Sequence, residues 1–219
     1  NISAKSANPD ALFSLSGTGT VAPDLYTFDV RGYLDNLDLE ALGITPETNK
    51  GKCEIYIAGS ASPAKWIYDV DMKLNKTEWT VGNQYFSVPG ALALDFRSAG
   101  DFVDASLDAS LTSLKFHSGS GLKPLIDAFT EVGDSVAAQV RARNIDVKGL
   151  QKLLPSFTMG MNASGRGLLG EYLNTMGVSL DTIHGNISND SLISGRIDAL
   201  AISNASMRAD TLSFAFRQR

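Results

Sequence analysis

The 219-residue sequence has one cysteine and only two histidines, which removes most routes to a metal or redox centre. Cys53 cannot form a disulfide within the chain, and its place in an alternating segment predicts a small buried apolar residue. Neither His117 nor His184 has a Cys, His or carboxylate neighbour at a spacing typical of zinc sites. We therefore predict no metal site and no cofactor.

Charge is also scarce, at 20% of residues, and no segment gathers Lys and Arg into a cluster. Together with a net charge of −5, this argues against a nucleic-acid partner. No apolar run approaches the ~18 residues that span a bilayer, and no basic-then-apolar leader opens the chain. Because the chain begins with Asn1, we expect part of a longer protein whose anchor or export signal lies outside it.

Catalytic motifs are missing as well. Gly119-Ser120-Gly121 lacks the strand-to-helix context of a nucleophile elbow, so it predicts a turn. The run from Gly165 to Gly170 fits GxGxxG, but the surrounding chain lacks the strand–helix alternation of a dinucleotide domain. No acid, base and nucleophile can be named together. The sequence therefore predicts no enzyme, no catalytic residue and no nucleotide cofactor.

Alternation of apolar and polar residues is the dominant pattern that is present. With 20 glycines and many Ser, Thr and Asn residues at turn positions, it predicts an all-β or β-rich fold. A phase slip near Thr112-Ser113 predicts a β-bulge. The clearest single-face sets are Phe28, Val30, Gly32 and Leu34; Cys53, Ile55 and Ile57; and Trp66, Tyr68, Val70, Met72 and Leu74.

Helical signals are few and short, and one of them recurs. The stretch from Asn36 to Leu42 is matched by the stretch from Asn144 to Leu150, with Asp38 and Asp146 as helix N-caps. Such self-similarity is typical of stacked modules. We predict a first β-rich repeat over 1–120 with a helix near 38–43, ended by Gly43, and a second repeat over 121–219. The second repeat contains predicted helices near 122–132, 149–154 and 168–176.

The apolar strand faces are the remaining candidate site. One interpretation is the core of a sandwich, and the other is a groove for acyl chains. Both need one apolar face per strand, so periodicity does not separate them.

Five segments of the chain are similar to a known family: 37–44 (LDLEALGI), 50–55 (KGKCEI), 164–167 (SGRG), 184–193 (HGNISNDSLI) and 210–214 (DTLSF). Through them the chain resembles the TamB family of translocation and assembly module proteins, part of the wider AsmA-like group, and it most resembles versions from Bacteroidetes-type bacteria.

This resemblance implies an elongated, curved and folded-over antiparallel sheet, or β-taco, with an apolar groove. It implies a periplasmic segment of an inner-membrane-anchored protein that moves phospholipid or assists outer-membrane protein assembly. A partner outer-membrane barrel would bind through parts outside this chain. The resemblance places lipid contacts at Phe28, Val30, Ile55, Ile57, Trp66, Tyr68, Val70, Met72 and Leu74.

The alternative from the residues themselves is a β-sandwich adhesin or carbohydrate-binding module. It is motivated by the same alternation and by Trp66, Trp79 and Tyr85, whose rings we expect to be exposed. An array of flat aromatic rings on a solvent-facing surface would favour it.

Overall fold

The computed structural model describes residues 1–88, 90–167, 170, 173–174, 177–189, 193–203 and 208–217. Its strands are β1 (Ile2–Asn8), β2 (Ala11–Ala22), β3 (Leu25–Asp38), β4 (Asn49–Ser62), β5 (Ile67–Val81), β6 (Gln84–Ser87), β7 (Leu92–Ala99), β8 (Phe102–Ala109), β9 (Thr112–Ser118), β10 (Phe157–Ser164), β11 (Thr182–Asn189), β12 (Ile193–Ser203) and β13 (Arg208–Arg217). The helices are α1 (Leu122–Arg141) and α2 (Val147–Leu153), with a 3₁₀ turn over Pro63–Lys65.

The strands belong to one 13-stranded antiparallel sheet. Its hydrogen-bonded order is β1-β2-β3-β4-β5-β7-β8-β9-β10-β11-β12-β13, and β6 pairs with β5. Nearly every strand therefore pairs with its neighbours in sequence, as short turns between antiparallel strands require. The predicted β-rich antiparallel fold is confirmed.

The chain divides into two compact units. Unit 1 contains Asn1–Ala64, Tyr68–Asp95 and Leu107–Ser110, and unit 2 contains Lys65–Ile67, Phe96–Ser106 and Leu111–Arg219. The main boundary falls inside β7, away from residue 120. The two sequence repeats, 1–120 and 121–219, stay a prediction.

Both helices differ in length from their predicted forms. α1 begins at Leu122 as predicted but continues through Gly133 to Arg141. A glycine inside a helix costs only about 1 kcal/mol, and the following residues, DSVAAQVR, include good helix formers. α2 covers Val147–Leu153, close to the predicted 149–154. The predicted helix over 168–176 lies mostly outside the described residues.

The recurring Asn-x-Asp stretch has the same local chemistry in both places. The Asp38 side chain accepts a hydrogen bond from the Ala41 N–H at 3.0 Å, and Asp146 accepts one from the Gly149 N–H at 3.0 Å. Asp38 caps a single turn that ends at Gly43, whose φ of 72° suits glycine. Both predicted caps are confirmed. The predicted helix near 38–43 is wrong, because this segment forms a hydrogen-bonded turn that does not extend into a helix.

The predicted bulge at Thr112-Ser113 is wrong, because a two-residue turn causes the phase slip. Ser110 and Leu111 join β8 to β9 with φ values of 42° and 63°. Two consecutive positive φ values are the mark of a type I′ hairpin turn, which ordinarily uses Asn-Gly. A bulky leucine in this region is strained, and its side chain is 69% exposed.

Replacing Ser110 by Asn and Leu111 by Gly together is expected to raise the free energy of unfolding by about 1 kcal/mol, because both residues then accept the left-handed backbone. Urea titration followed by circular dichroism measures the change. Leu111→Ala is the control, since it removes the exposed side chain but keeps the backbone strain. An equal gain from that control would attribute the effect to hydrophobic exposure and contradict the turn argument.

In the described part of the chain, no helix is both long and apolar enough to cross a lipid bilayer.

Candidate functional site

Unit 1 has one apolar and one polar sheet face, set by the register of its strands. Residues directly opposite each other in an antiparallel pair share a face. Val30 pairs with Gly17 on β2 and with Ile57 on β4, and Phe28 pairs with Gly59. A Cβ built on Gly59 would lie 2.9 Å from the Val70 Cα, which brings β5 onto the same face. The face continues through Phe13, Leu15, Leu34, Cys53, Ile55, Met72 and Leu74.

This apolar face is only partly shielded from solvent. Phe28, Val30, Ile55 and Ile57 are half-buried, as are Tyr68, Val70, Met72 and Leu74 on β5. Cys53 is buried, and desolvation raises the pKa of its thiol, as expected of a cysteine used as an apolar residue. The residues of unit 1 that the structure describes include no α-helix, so no α-helix of that unit covers the face.

Eight of the nine predicted lipid-contact residues lie in β3, β4 and β5, and Trp66 does not fit the pattern. Trp66 follows the 3₁₀ turn, precedes β5 and has a φ of 57°. A left-handed residue interrupts the two-residue period, so the alternation that placed Trp66 with Tyr68 does not hold. Its carbonyl accepts a hydrogen bond from the Ser98 hydroxyl at 3.0 Å.

The two other aromatic residues of the carbohydrate-binding alternative lie on opposite faces of the sheet. Trp79 is half-buried on the apolar side, where its Nε1 donates to Asn49 Oδ1 at 2.7 Å and its ring lies over Gly51. Tyr85 on β6 is 61% exposed and hydrogen-bonds to Glu78 on the polar side. The expectation of an exposed ring is thus met by Tyr85 and not by Trp79.

The polar face of unit 1 contains a cavity of about 830 Å³. Its walls come from three adjacent strands. They include Arg31 and Tyr33 on β3, Glu54 and Tyr56 on β4, and Lys73, Asn75, Lys76 and Glu78 on β5. The Arg31 guanidinium lies 4.8 Å from the centroid of the Tyr56 ring, a cation–π contact. A left-handed residue at Lys76, with φ of 49°, places both Asn75 and Lys76 along this wall.

Ion pairs between neighbouring strands organise the cavity. Lys52 Nζ lies 3.0 Å from Glu78 Oε2, and Lys76 Nζ lies 2.5 Å from Glu54 Oε1. The hydrogen bond to Lys52 lowers the pKa of Glu78, while the hydrogen bond from Glu78 raises the pKa of Lys52. Glu78 also raises the pKa of Tyr85. Both shifts favour the charged forms of Lys52 and Glu78 at neutral pH, so this pair gives the cavity fixed charges of both signs.

Unit 2 has its own polar cluster, around His184. His184 Nδ1 lies 2.6 Å from Asn162 Oδ1, and its register partner on β12 is Asp198. Asp198 pairs with Arg196 at 2.6 Å and accepts a hydrogen bond from Ser213, and both contacts lower the pKa of its carboxyl, Arg196 more than Ser213.

Within the described ranges, no group of three or more His, Cys, Asp or Glu side chains is arranged to hold a metal ion. His117, the other histidine, lies in β9 with its Nδ1 2.6 Å from Asp104 Oδ1. Both histidines are exposed on strands.

The chain matches no protein-family model, no curated protein and no solved structure in these three comparisons.

Proposed function

We propose that this chain is a periplasmic segment of an inner-membrane-anchored protein of outer-membrane biogenesis, and that the apolar face of unit 1 carries phospholipid acyl chains. The proposal rests on one observation in the structure, a row of half-buried apolar side chains on one face of β3, β4 and β5, over which the described part of unit 1 places no α-helix. The resemblance to TamB proteins supplies the phospholipid and the compartment.

The energetics of an acyl chain suit such a face. Each buried methylene contributes about 0.8 kcal/mol, so a chain of ordinary length is held without any polar contact. A continuous apolar path also lets a lipid move along the strands without leaving the protein at each step. No nucleotide, metal or catalytic group is required, and assistance to outer-membrane protein insertion would use the same apolar surface.

Site-specific photo-crosslinking tests the proposal. A benzophenone amino acid is placed at position 30 in one variant and at position 33 in another. Both positions lie in β3, but position 30 faces the apolar side and position 33 faces the polar cavity. After expression in the periplasm of a Gram-negative bacterium and detergent-free purification, we expect phospholipid adducts at position 30 and few at position 33. Equal labelling, or none at either position, would contradict the proposal.

Native mass spectrometry of Val30→Asp combined with Ile57→Asp is the companion measurement. These two residues are register partners, so the paired carboxylates should repel acyl chains and reduce co-purified phospholipid at least tenfold. Circular dichroism checks that the variant remains folded, and Tyr33→Ser is the control on the polar face.

Carbohydrate binding is the second candidate function, favoured by the cavity on the polar face and by the 45% exposure of the Tyr33 side chain beside it. Planar polar groups and a nearby aromatic ring suit sugar hydroxyls and the apolar face of a sugar ring. A bound glycan that is lost in Tyr33→Ser and retained in Val30→Asp with Ile57→Asp would favour this function over lipid binding.

A further inference from the structure

The end of α1 and the start of α2 expose three aliphatic side chains that are close together in the sequence. Val140 is 54% exposed, Ile145 is 54% exposed and Val147 is 55% exposed. All three lie within eight positions of the chain, at the last turn of α1, in the connection and at the first residue of α2. We call this segment, residues 140–148, the α1–α2 tip. Residues 140–148 are all exposed, so each of the three aliphatic side chains is open to solvent.

Cations flank these aliphatic residues in the sequence. Arg141, Arg143 and Lys148 lie within the tip, and Lys152 follows in the last turn of α2. The same stretch of sequence contains one carboxylate, that of Asp146. The Asp146 side chain caps α2 by accepting a hydrogen bond from the Gly149 N–H. No ion pair joins any of the four cations to a carboxylate within the ranges that the structure describes. The tip is therefore locally basic in a chain whose net charge is −5, so the expectation that no segment gathers Lys and Arg is wrong here.

The backbone holds one of these cations in a position that glycine normally takes. The Asn144 N–H donates to the Gln139 carbonyl and the Arg143 N–H to the Val140 carbonyl, each at 3.0 Å. These two bonds form a Schellman motif, with Arg143 as its left-handed residue at a φ of 57°. Arginine lacks the conformational freedom of glycine there, so stability is lower than it could be.

We propose that the α1–α2 tip docks on an anionic phospholipid surface. A membrane interface accepts scattered aliphatic side chains without a shape-matched pocket, while its negative headgroups attract the flanking cations. A nucleic-acid surface would leave Val140, Ile145 and Val147 exposed, and the tip has no aromatic ring for base stacking. Since the rest of the chain is acidic, an anionic surface attracts the tip and repels the remainder, which orients the protein.

This inference is independent of the proposed function. The tip lies in unit 2, whereas the lipid-binding face and its crosslinking positions lie in unit 1. Surface docking can fail while acyl chains are still carried, and the reverse also holds.

Co-sedimentation of the full chain with extruded vesicles tests the tip. One set of vesicles contains phosphatidylcholine and phosphatidylglycerol at about 70:30, and the other contains phosphatidylcholine alone. We expect the chain to bind the anionic vesicles at least tenfold more tightly, because each cation near the surface raises the affinity roughly fivefold. Raising the salt concentration should weaken the binding. Equal binding to both vesicle types, or tighter binding to a short DNA duplex, would overturn the proposal.

Two sets of variants separate charge from aliphatic insertion. Arg141→Gln, Arg143→Gln and Lys148→Gln combined should lose most of the preference for anionic vesicles, and Val140→Asp, Ile145→Asp and Val147→Asp combined should abolish binding. The matched control is Lys5→Gln with Val21→Asp, which changes an exposed cation and a 79%-exposed valine in unit 1. Binding that survives both sets, or is lost equally in the control, would overturn the assignment.

Arg143→Gly separates a loss of membrane binding from a loss of folding. Glycine relieves the left-handed backbone, so the melting temperature should rise by about 2–4 °C while vesicle affinity falls several-fold. A variant that is more stable and yet binds as well as the original chain would show that Arg143 does not contact the membrane.

Discussion

Replacing Gly32 by alanine is expected to lower the free energy of unfolding by about 3 kcal/mol. Gly32 lies in β3 opposite Leu15 of β2, where the two backbones approach closely. A Cβ at this position would overlap the Ser14 carbonyl oxygen and lie 2.8 Å from the Leu15 Cα. Both are backbone atoms, so rotation of a side chain cannot relieve the clash, and the two strands must separate.

The matched control is Gly160→Ala in β10. A Cβ at Gly160 has no atom within 4 Å, so this variant should be neutral or slightly more stable, since alanine reduces the entropy of the unfolded chain. Chemical denaturation monitored by circular dichroism measures both variants. Equal stability of the two would contradict the close approach of β2 and β3.

Gly51→Val is expected to displace the Trp79 ring and to lower the free energy of unfolding by about 2–3 kcal/mol. A Cβ on Gly51 would occupy the position of the Trp79 ring, whose Nε1 donates to Asn49 Oδ1 at 2.7 Å. A displaced Trp79 ring loses its hydrogen bond to Asn49 and exposes apolar area to solvent.

Tryptophan fluorescence measures the displacement, because the emission of a more exposed indole moves to longer wavelength. Trp66 is the only other tryptophan, and the comparison is made with Trp66→Phe in both proteins. Asn49→Ala is the control for the hydrogen bond alone and should cost about 1 kcal/mol. An unchanged emission maximum in Gly51→Val would contradict the placement of Trp79 over Gly51.

Local patterns predicted local structure well where nothing interrupted the backbone. The two-residue period placed Phe28 with Val30 on one face of β3 and Ile55 with Ile57 on one face of β4, and the register keeps each set together. Asp38 and Asp146 were predicted as caps, and each accepts the expected N–H. These features depend on neighbours a few residues apart, which the chain specifies by itself.

The same reasoning failed where a single residue changes the backbone direction. Trp66 leaves the strand period because its φ is positive, and Ser110 with Leu111 forms a turn where alternation predicted a bulge. None of these residues is a glycine or an asparagine, so composition carried no warning of a left-handed conformation.

The polar cavity of unit 1 was not predicted at all. Its walls bring Tyr33 beside Glu54, and Lys52 beside Glu78, from strands whose pairing is set by register. Charged residues on the wet face of a strand usually indicate only solvation. The one available signal was the run of charges of both signs along β4, from Lys50 to Glu54.

The amino-acid sequence by itself determined the β-rich fold, the division of each strand into an apolar and a polar face, and the two aspartate caps, because period, turn residues and capping act over short range. Only the tertiary structure decided which residues share a face across strands, where β2 and β3 leave no room for a Cβ at Gly32, and that Val140, Ile145 and Val147 stay exposed among cations. Burial and register depend on distant parts of the chain, and a pattern read along one strand does not contain them.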